Sequence, residues 1–244
     1  MAVYDLSVTG PDSLNSVLQS DGIDPATRQN IIDYLNNAGD SDSVVVQNGG
    51  YPPFATDANG NLPQVLILPT ATNTVDTSAD PNLQIIIGVD ANITVTGSND
   101  VLVATGSADD TVHLNDSGND VVTTGPGDDT IFGGAGSDSL YGGAGSDQIH
   151  AGTGDFQLLE GGKGSDTLWG GSGTSDTLMG GRGDDVLHAG TGDFQQLQGG
   201  AGDDTLYGGS GTSDTLTGGK GDDVLHAGNG DFQSLAGGDG SDTL

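Results

Sequence analysis

Asp147, Asp166, Asp185, Asp204, Asp223 and Asp242 fall at intervals of 19 residues, each closing the phrase Gly-Gly-x-Gly-x-Asp. If each interval is one coil of a stack, these carboxylates line up about 4.8 Å apart along one edge. Such a ladder repels itself unless cations lie between successive turns. Carbonyl oxygens of the turns would then complete an all-oxygen shell of the kind calcium accepts. The same phrase places Asp138, and its variant TGPGDD places Asp129, in earlier units. On the opposite edge Asp176 and Asp214 hold the ligand place, but Gln157, Gln195 and Gln233 occupy it in the other units. Sparser calcium is expected there, with Phe156, Phe194 and Phe232, inserted every 38 residues, supplying packing instead.

Very short elements must position these residues. From 124 onward the chain divides into units of nine or ten residues, and residues 151–188 match 189–226 at 31 of 38 positions. Each unit ends in x-U-x, where U is an aliphatic such as Ile131, Leu140, Ile149, Leu168 or Leu187. A three-residue strand with one inward side chain cannot stand alone, so the units must stack. Two strands and two turns make one coil, which puts alternate units on opposite edges. Glycine in the turns supplies positive φ and close backbone approach.

Upstream the text changes. Residues 43–123 hold short β-rich runs such as SVVVQ, QVLIL, LQIIIG and NITVT, and TGSNDVLVA and TGSADDTVHL carry an eroded form of the later phrase. They read as leading turns that cap the first edge of the stack. Residues 1–42 contain the helical patterns. DPATRQNIIDYLNNAG has Asp24 as N-cap, Pro25 at the first helical position and Gly39 as the stop, predicting a small helical head.

Composition points the same way. The chain has 244 residues, 45 Gly, no Cys, 5% aromatic residues and a formal charge of -31. Its 35 acidic residues include a single Glu, Glu160. A general acidic surface would use both acids, whereas the short arm of Asp suits tight turns and cation sites in them. With so little apolar material, folding should depend on bound metal. No secretory leader pattern opens the chain, and no apolar run reaches membrane-spanning length.

The phrase GGxGxDxUx, clear over 124–244 and weak over 97–123, resembles the nonapeptide of the RTX (repeats-in-toxin, hemolysin-type) calcium-binding repeat proteins. The resemblance implies an all-β fold, a right-handed parallel β-roll, with multiple Ca2+ ions between successive turns. It also implies type I secretion of an unfolded chain that folds outside the cell. On this reading the metal residues are Asp129, Asp138, Asp147, Asp166, Asp176, Asp185, Asp204, Asp214, Asp223 and Asp242, with carbonyls of the Gly-rich turns. The units AGTGDFQ depart from the family pattern.

The functional expectation is a non-enzymatic, calcium-binding structural module of a secreted or cell-surface bacterial protein, of surface-layer, adhesin or matrix type. One alternative is the repeat portion of an exported enzyme or toxin. Another is an ice- or sugar-binding face on the row Ser172, Thr191 and Ser210. No HExxH, GxSxG, P-loop or GxGxxG occurs, and the charge disfavours nucleic acid. His150, His188 and His226 share one outward row, read as surface positions rather than zinc ligands. Trp169 and Tyr207 are read as surface aromatics of one repeat position. Lys163, Arg182 and Lys220 soften the acidic edge. The chain stops within a unit at GGDGSDTL, so the expectation is either a fragment of a longer protein or an open C-terminal edge covered by another chain in head-to-tail assembly.

Overall fold

The computed structural model describes residues 46–48, 65–68, 72–79, 83, 85–88 and 92–244. The helical head expected over 1–42 lies outside them. Among the described residues there is no α-helix, and one 3-10 turn, Thr77–Ala79, interrupts the strands.

Consecutive strands alternate between two parallel sheets. Eleven strands, from Val46–Asn48 to Ser234–Asp239, form one sheet, and nine, from Thr72–Asp76 to Val224–His226, form the other. Both sheets run through the repeat region and the β-rich segment before it. This is the parallel two-sheet solenoid expected from the repeat.

Register follows from the 19-residue period. Leu140 pairs with Leu159, Leu178 with Leu197, and Leu197 with Leu216. In the facing sheet Ile149 pairs with Leu168, and Leu187 with Leu206. These columns meet between the sheets and are buried to within 2%. A slip of one residue would turn every one of them outward, so the apolar column fixes the register. Upstream coils have more to bury: Ile85–Gly88 and Leu102–Ala104 are covered on both faces. Their continuous apolar sequence is that of strands sealed from both sides.

The two edges are built differently. From residue 142 onward nine-residue units turn from the eleven-stranded sheet to the nine-stranded one, and ten-residue units turn back. The nine-residue turns use Gly at positive φ, for example Gly162 (115°) and Gly164 (124°). The ten-residue turns place a non-glycine in the left-handed region: Phe156, Ser175, Phe194, Ser213 and Phe232, with φ of 60 to 65°.

That conformation overturns the packing role expected for the phenylalanines. The left-handed residue absorbs the extra position of the ten-residue turn and aims its side chain outward. Phe156, Phe194 and Phe232 are accordingly 68%, 55% and 86% exposed. The interior of those turns is filled by Gln157 and Gln195, which are at most 1% exposed.

Candidate metal centre

On the nine-residue edge, the sixth-position aspartates form a continuous ladder. The backbone N–H of Asp147 donates to Oδ1 of Asp166 (2.8 Å), Asp166 to Asp185 (2.8 Å), Asp185 to Asp204 (2.8 Å), Asp204 to Asp223 (2.8 Å) and Asp223 to Asp242 (3.1 Å). Asp110 and Asp129 extend it upstream, Asp110 donating to Asp129 (2.7 Å) and Asp129 to Asp147 (2.9 Å). Each carboxylate thus uses one oxygen to stitch its coil to the one before.

The second oxygen is different. Oδ2 of Asp129, Asp147, Asp166, Asp185, Asp204 and Asp223 is buried and accepts no hydrogen bond. In Asp166, for example, it lies inside the turn, where a Cβ on Gly161 would overlap it. A buried charged oxygen without a partner is costly. Burial pushes Asp147 and Asp185 up to about 7, and Asp129, Asp166 and Asp204 up to about 6, with neighbouring carboxylates adding to the rise at most of these positions.

Carbonyl oxygens stand beside this ladder. A Cβ on Gly164, Gly183 or Gly202 would overlap the carbonyl oxygen of the glycine one coil earlier, Gly145, Gly164 or Gly183 respectively. The turns therefore stack with peptide oxygens directed from coil to coil. Oxygen donors alone, carboxylate and carbonyl, suit a hard cation such as calcium rather than zinc or copper. The residues present fit that ion. Among the described residues no three His, Cys, Asp or Glu side chains converge on one point. In a ladder, a site between coils draws on backbone oxygens as well as the carboxylates of the two coils.

Sequence reasoning missed a second set of aspartates. Asp109, Asp184, Asp203 and Asp222, at the fifth position of the same turns, accept from the following coil: Asp128 N–H (3.0 Å), Asp203 (2.9 Å), Asp222 (2.8 Å) and Ser241 (2.8 Å). Where the fifth position is Asp, fifth and sixth positions thus clip the turn in opposite directions. The doubled Asp in GDD carried the signal.

From Asp138 onward the opposite edge satisfies its groups internally, whereas Oδ2 of Asp120, one coil earlier on this edge, is buried without a partner. Asp176 Oδ1 accepts from Gln157 N–H (3.1 Å) and Asp214 Oδ1 from Gln195 N–H (3.2 Å). Their Oδ2 atoms also have donors, Gly171 N–H (3.4 Å) and Gly209 N–H (3.2 Å). Asp138, upstream on this edge, takes Asp120 N–H (2.9 Å) on Oδ1 and Gly134 N–H (3.0 Å) on Oδ2. The predicted metal residues therefore divide: Asp129, Asp147, Asp166, Asp185, Asp204, Asp223 and Asp242 on one edge, Asp138, Asp176 and Asp214 on the other.

The outward histidines and aromatics, read separately in the sequence, form one column. His113, Phe132, His150, Trp169, His188, Tyr207 and His226 stack ring on ring, with centroids 4.1 to 5.9 Å apart and interplanar angles of at most 12°. An aromatic ring separates every two successive histidines, so no two imidazoles can share a zinc ion. Burial in the stack lowers His150 and His188, favouring the neutral ring. Ser172, Thr191 and Ser210 lie exposed in register on successive ten-residue turns. Lys163 and Arg182 are directly paired across neighbouring strands.

A parallel solenoid whose Gly-rich turns carry buried, unpartnered carboxylates on an all-oxygen edge defines a calcium-binding β-roll module. The family model described as RTX calcium-binding nonapeptide repeat (4 copies) matches residues 114–149, 151–174, 171–193, 196–212 and 209–231, so these segments carry RTX calcium-binding repeats. No curated protein and no solved structure matches the chain. Among the described residues no helix is long and apolar enough to cross a membrane.

Proposed function

We propose that this chain is a calcium-folded structural module of a secreted or cell-surface bacterial protein, of surface-layer, adhesin or matrix type. Residues 1–42 form a head, 43–123 the leading turns and 124–244 the calcium-binding roll. The observation that carries the reading is the row of buried Oδ2 atoms without hydrogen-bond partners on the nine-residue edge. Asp129, Asp147, Asp166, Asp185, Asp204, Asp223 and Asp242 would hold the ions together with turn carbonyls. The ions supply positive charge between carboxylates that repel one another.

Because one oxygen of each carboxylate belongs to the fold and the other to the ion, binding and folding are coupled. A cytosol poor in calcium keeps such a chain unfolded and fit for type I export. Extracellular calcium, about 10⁻³ M, is in the range that weak modular sites use. Bound calcium per chain, measured by equilibrium dialysis and atomic emission, tests the proposal. Several ions per chain are expected, and fewer in Asp204→Asn; a chain that binds none at 5 mM calcium sinks it.

A further inference from the structure

Gln157, Gln195 and Gln233 stand where the sixth-position aspartate stands in the other turns, and their amide nitrogens are placed in a particular way. Oε1 of Gln195 accepts the N–H of Gly190 (2.9 Å). That fixes the amide orientation, since the reverse would set two donors against each other. Nε2 then donates to the carbonyl oxygen of Gly173 (3.2 Å) and to Oδ2 of Asp176 (3.2 Å), both on the preceding ten-residue turn. Gln233 repeats this arrangement: Oε1 takes Gly228 N–H (2.7 Å), and Nε2 reaches Gly209 O and Asp214 Oδ2 (both 3.3 Å). Gln157 reaches Gly136 O (3.3 Å) and Gly154 O (3.5 Å).

A carboxylate oxygen and turn carbonyls are the donor set offered to a cation on the nine-residue edge. We infer that on the ten-residue edge the glutamine Nε2 takes the cation's place, closing these inter-turn sites to calcium. Over the coils from Asp166 to Asp214 the two edges differ in their unpartnered atoms. Asp166, Asp185 and Asp204 each leave Oδ2 without a hydrogen bond, whereas Oδ2 of Asp176 and of Asp214 has two donors apiece. One glutamine per two coils suffices from Asp176 onward, because Asp176 and Asp214 are each followed one coil later by a Gln that reaches their Oδ2. An amide carries no full charge, but it brings two N–H donors that need no ion and no particular calcium concentration. The roll thus has one edge assembled by metal and one assembled by its own side chains.

The inference rests on the calcium reading of the nine-residue edge. Its test is the number of calcium ions bound per full-length chain at saturating calcium, by equilibrium dialysis with atomic emission, for wild type, Gln195→Asp and Asp176→Asn. Gln195→Asp removes the amide and restores a carboxylate pair, so it should bind one ion more than wild type. Asp176→Asn should bind the same number as wild type, since its carboxylate is engaged by Gln195 and not by an ion. Calcium bound by wild type with no gain in Gln195→Asp, or a loss in Asp176→Asn, overturns this inference alone. A wild-type chain without calcium overturns the parent reading and this inference with it. Should Gln195→Asp fail to fold, circular dichroism in calcium reports it, and Gln233→Asp, near the end of the stack, takes its place in the count.

Discussion

The backbone N–H of Asp185 donates to Oδ1 of Asp204 at 2.8 Å, one coil away, while Oδ2 of Asp204 is buried with no hydrogen-bond partner. A single carboxylate therefore does two jobs. One oxygen sets the coil-to-coil register, and the other offers its charge to whatever lies between the turns.

Asp204→Asn should separate these jobs, since the side-chain carbonyl can still accept from Asp185 but the second oxygen is gone. The calcium midpoint for folding should rise several-fold and the Hill slope should fall. Asp193→Ala offers a control on the other edge. There Oδ1 accepts from Thr212 N–H (2.7 Å) and Oγ1 (3.0 Å), a clip that serves the fold. Its loss should cost about 1 kcal/mol of stability and leave the Hill slope unchanged. Equal effects of the two substitutions would mean that the edges are equivalent.

Protonation should substitute for metal in part. In the folded chain Asp147 and Asp185 keep protons up to about pH 7, and Asp129, Asp166 and Asp204 up to about 6, against an ordinary value of 3.8. The folded state therefore binds more protons between pH 3.8 and 7. Stability of the calcium-free roll is fully present below the lower limit and is lost as pH rises through 6 to 7. Calcium affinity runs the other way, because the ion needs the deprotonated carboxylate. Circular dichroism in chelator should show more β structure at pH 4 than at pH 7.5, and the calcium midpoint should rise on acidification below pH 7. A chelated chain that gains β structure with rising pH would refute this.

Phe194→Ser should be nearly neutral. Ser213 holds the equivalent place one coil on, with the same left-handed backbone (φ 65° against 61°), and Phe194 is 55% exposed. Chemical denaturation in calcium should place the variant within about 0.5 kcal/mol of wild type. A loss near 3 kcal/mol, the scale of a buried phenylalanine, would show that the ring packs in solution.

Much of this was legible in the sequence, and the reasons are physical. A strand with one inward aliphatic every 19 residues admits few arrangements, so the columns from Leu140 to Leu216 and from Ile149 to Leu206 could be read directly. The ladder from Asp147 to Asp242 followed from the same period. The interior of the ten-residue turns did not. Which of Phe194 and Gln195 points inward depends on a single φ of 61°, and hydrophobicity alone favours the wrong one. The amide role of Gln195 was hidden for the same reason. The ring column from His113 to His226 mixes four residue types at one repeat position, so it became visible only when the strands were set in register.

Gly164→Ala tests how closely the turns stack. Its φ is 124°, and a Cβ would overlap the carbonyl oxygen of Gly145 in the coil before. Since that oxygen is backbone, the coils must separate. The variant should lose several kcal/mol and the calcium midpoint should shift upward. Wild-type behaviour would show that the coils sit further apart than the structure places them.

Far-ultraviolet circular dichroism of the full chain, recorded in excess chelator at pH 7.5 and then through a calcium titration, is the most direct test of calcium-dependent folding. The β signal should be largely absent in chelator and return cooperatively between about 10⁻⁴ and 10⁻³ M calcium, with magnesium far less effective at the same concentrations because it demands tighter octahedral geometry. A β signal already complete in chelator, and unmoved by calcium, would contradict the account.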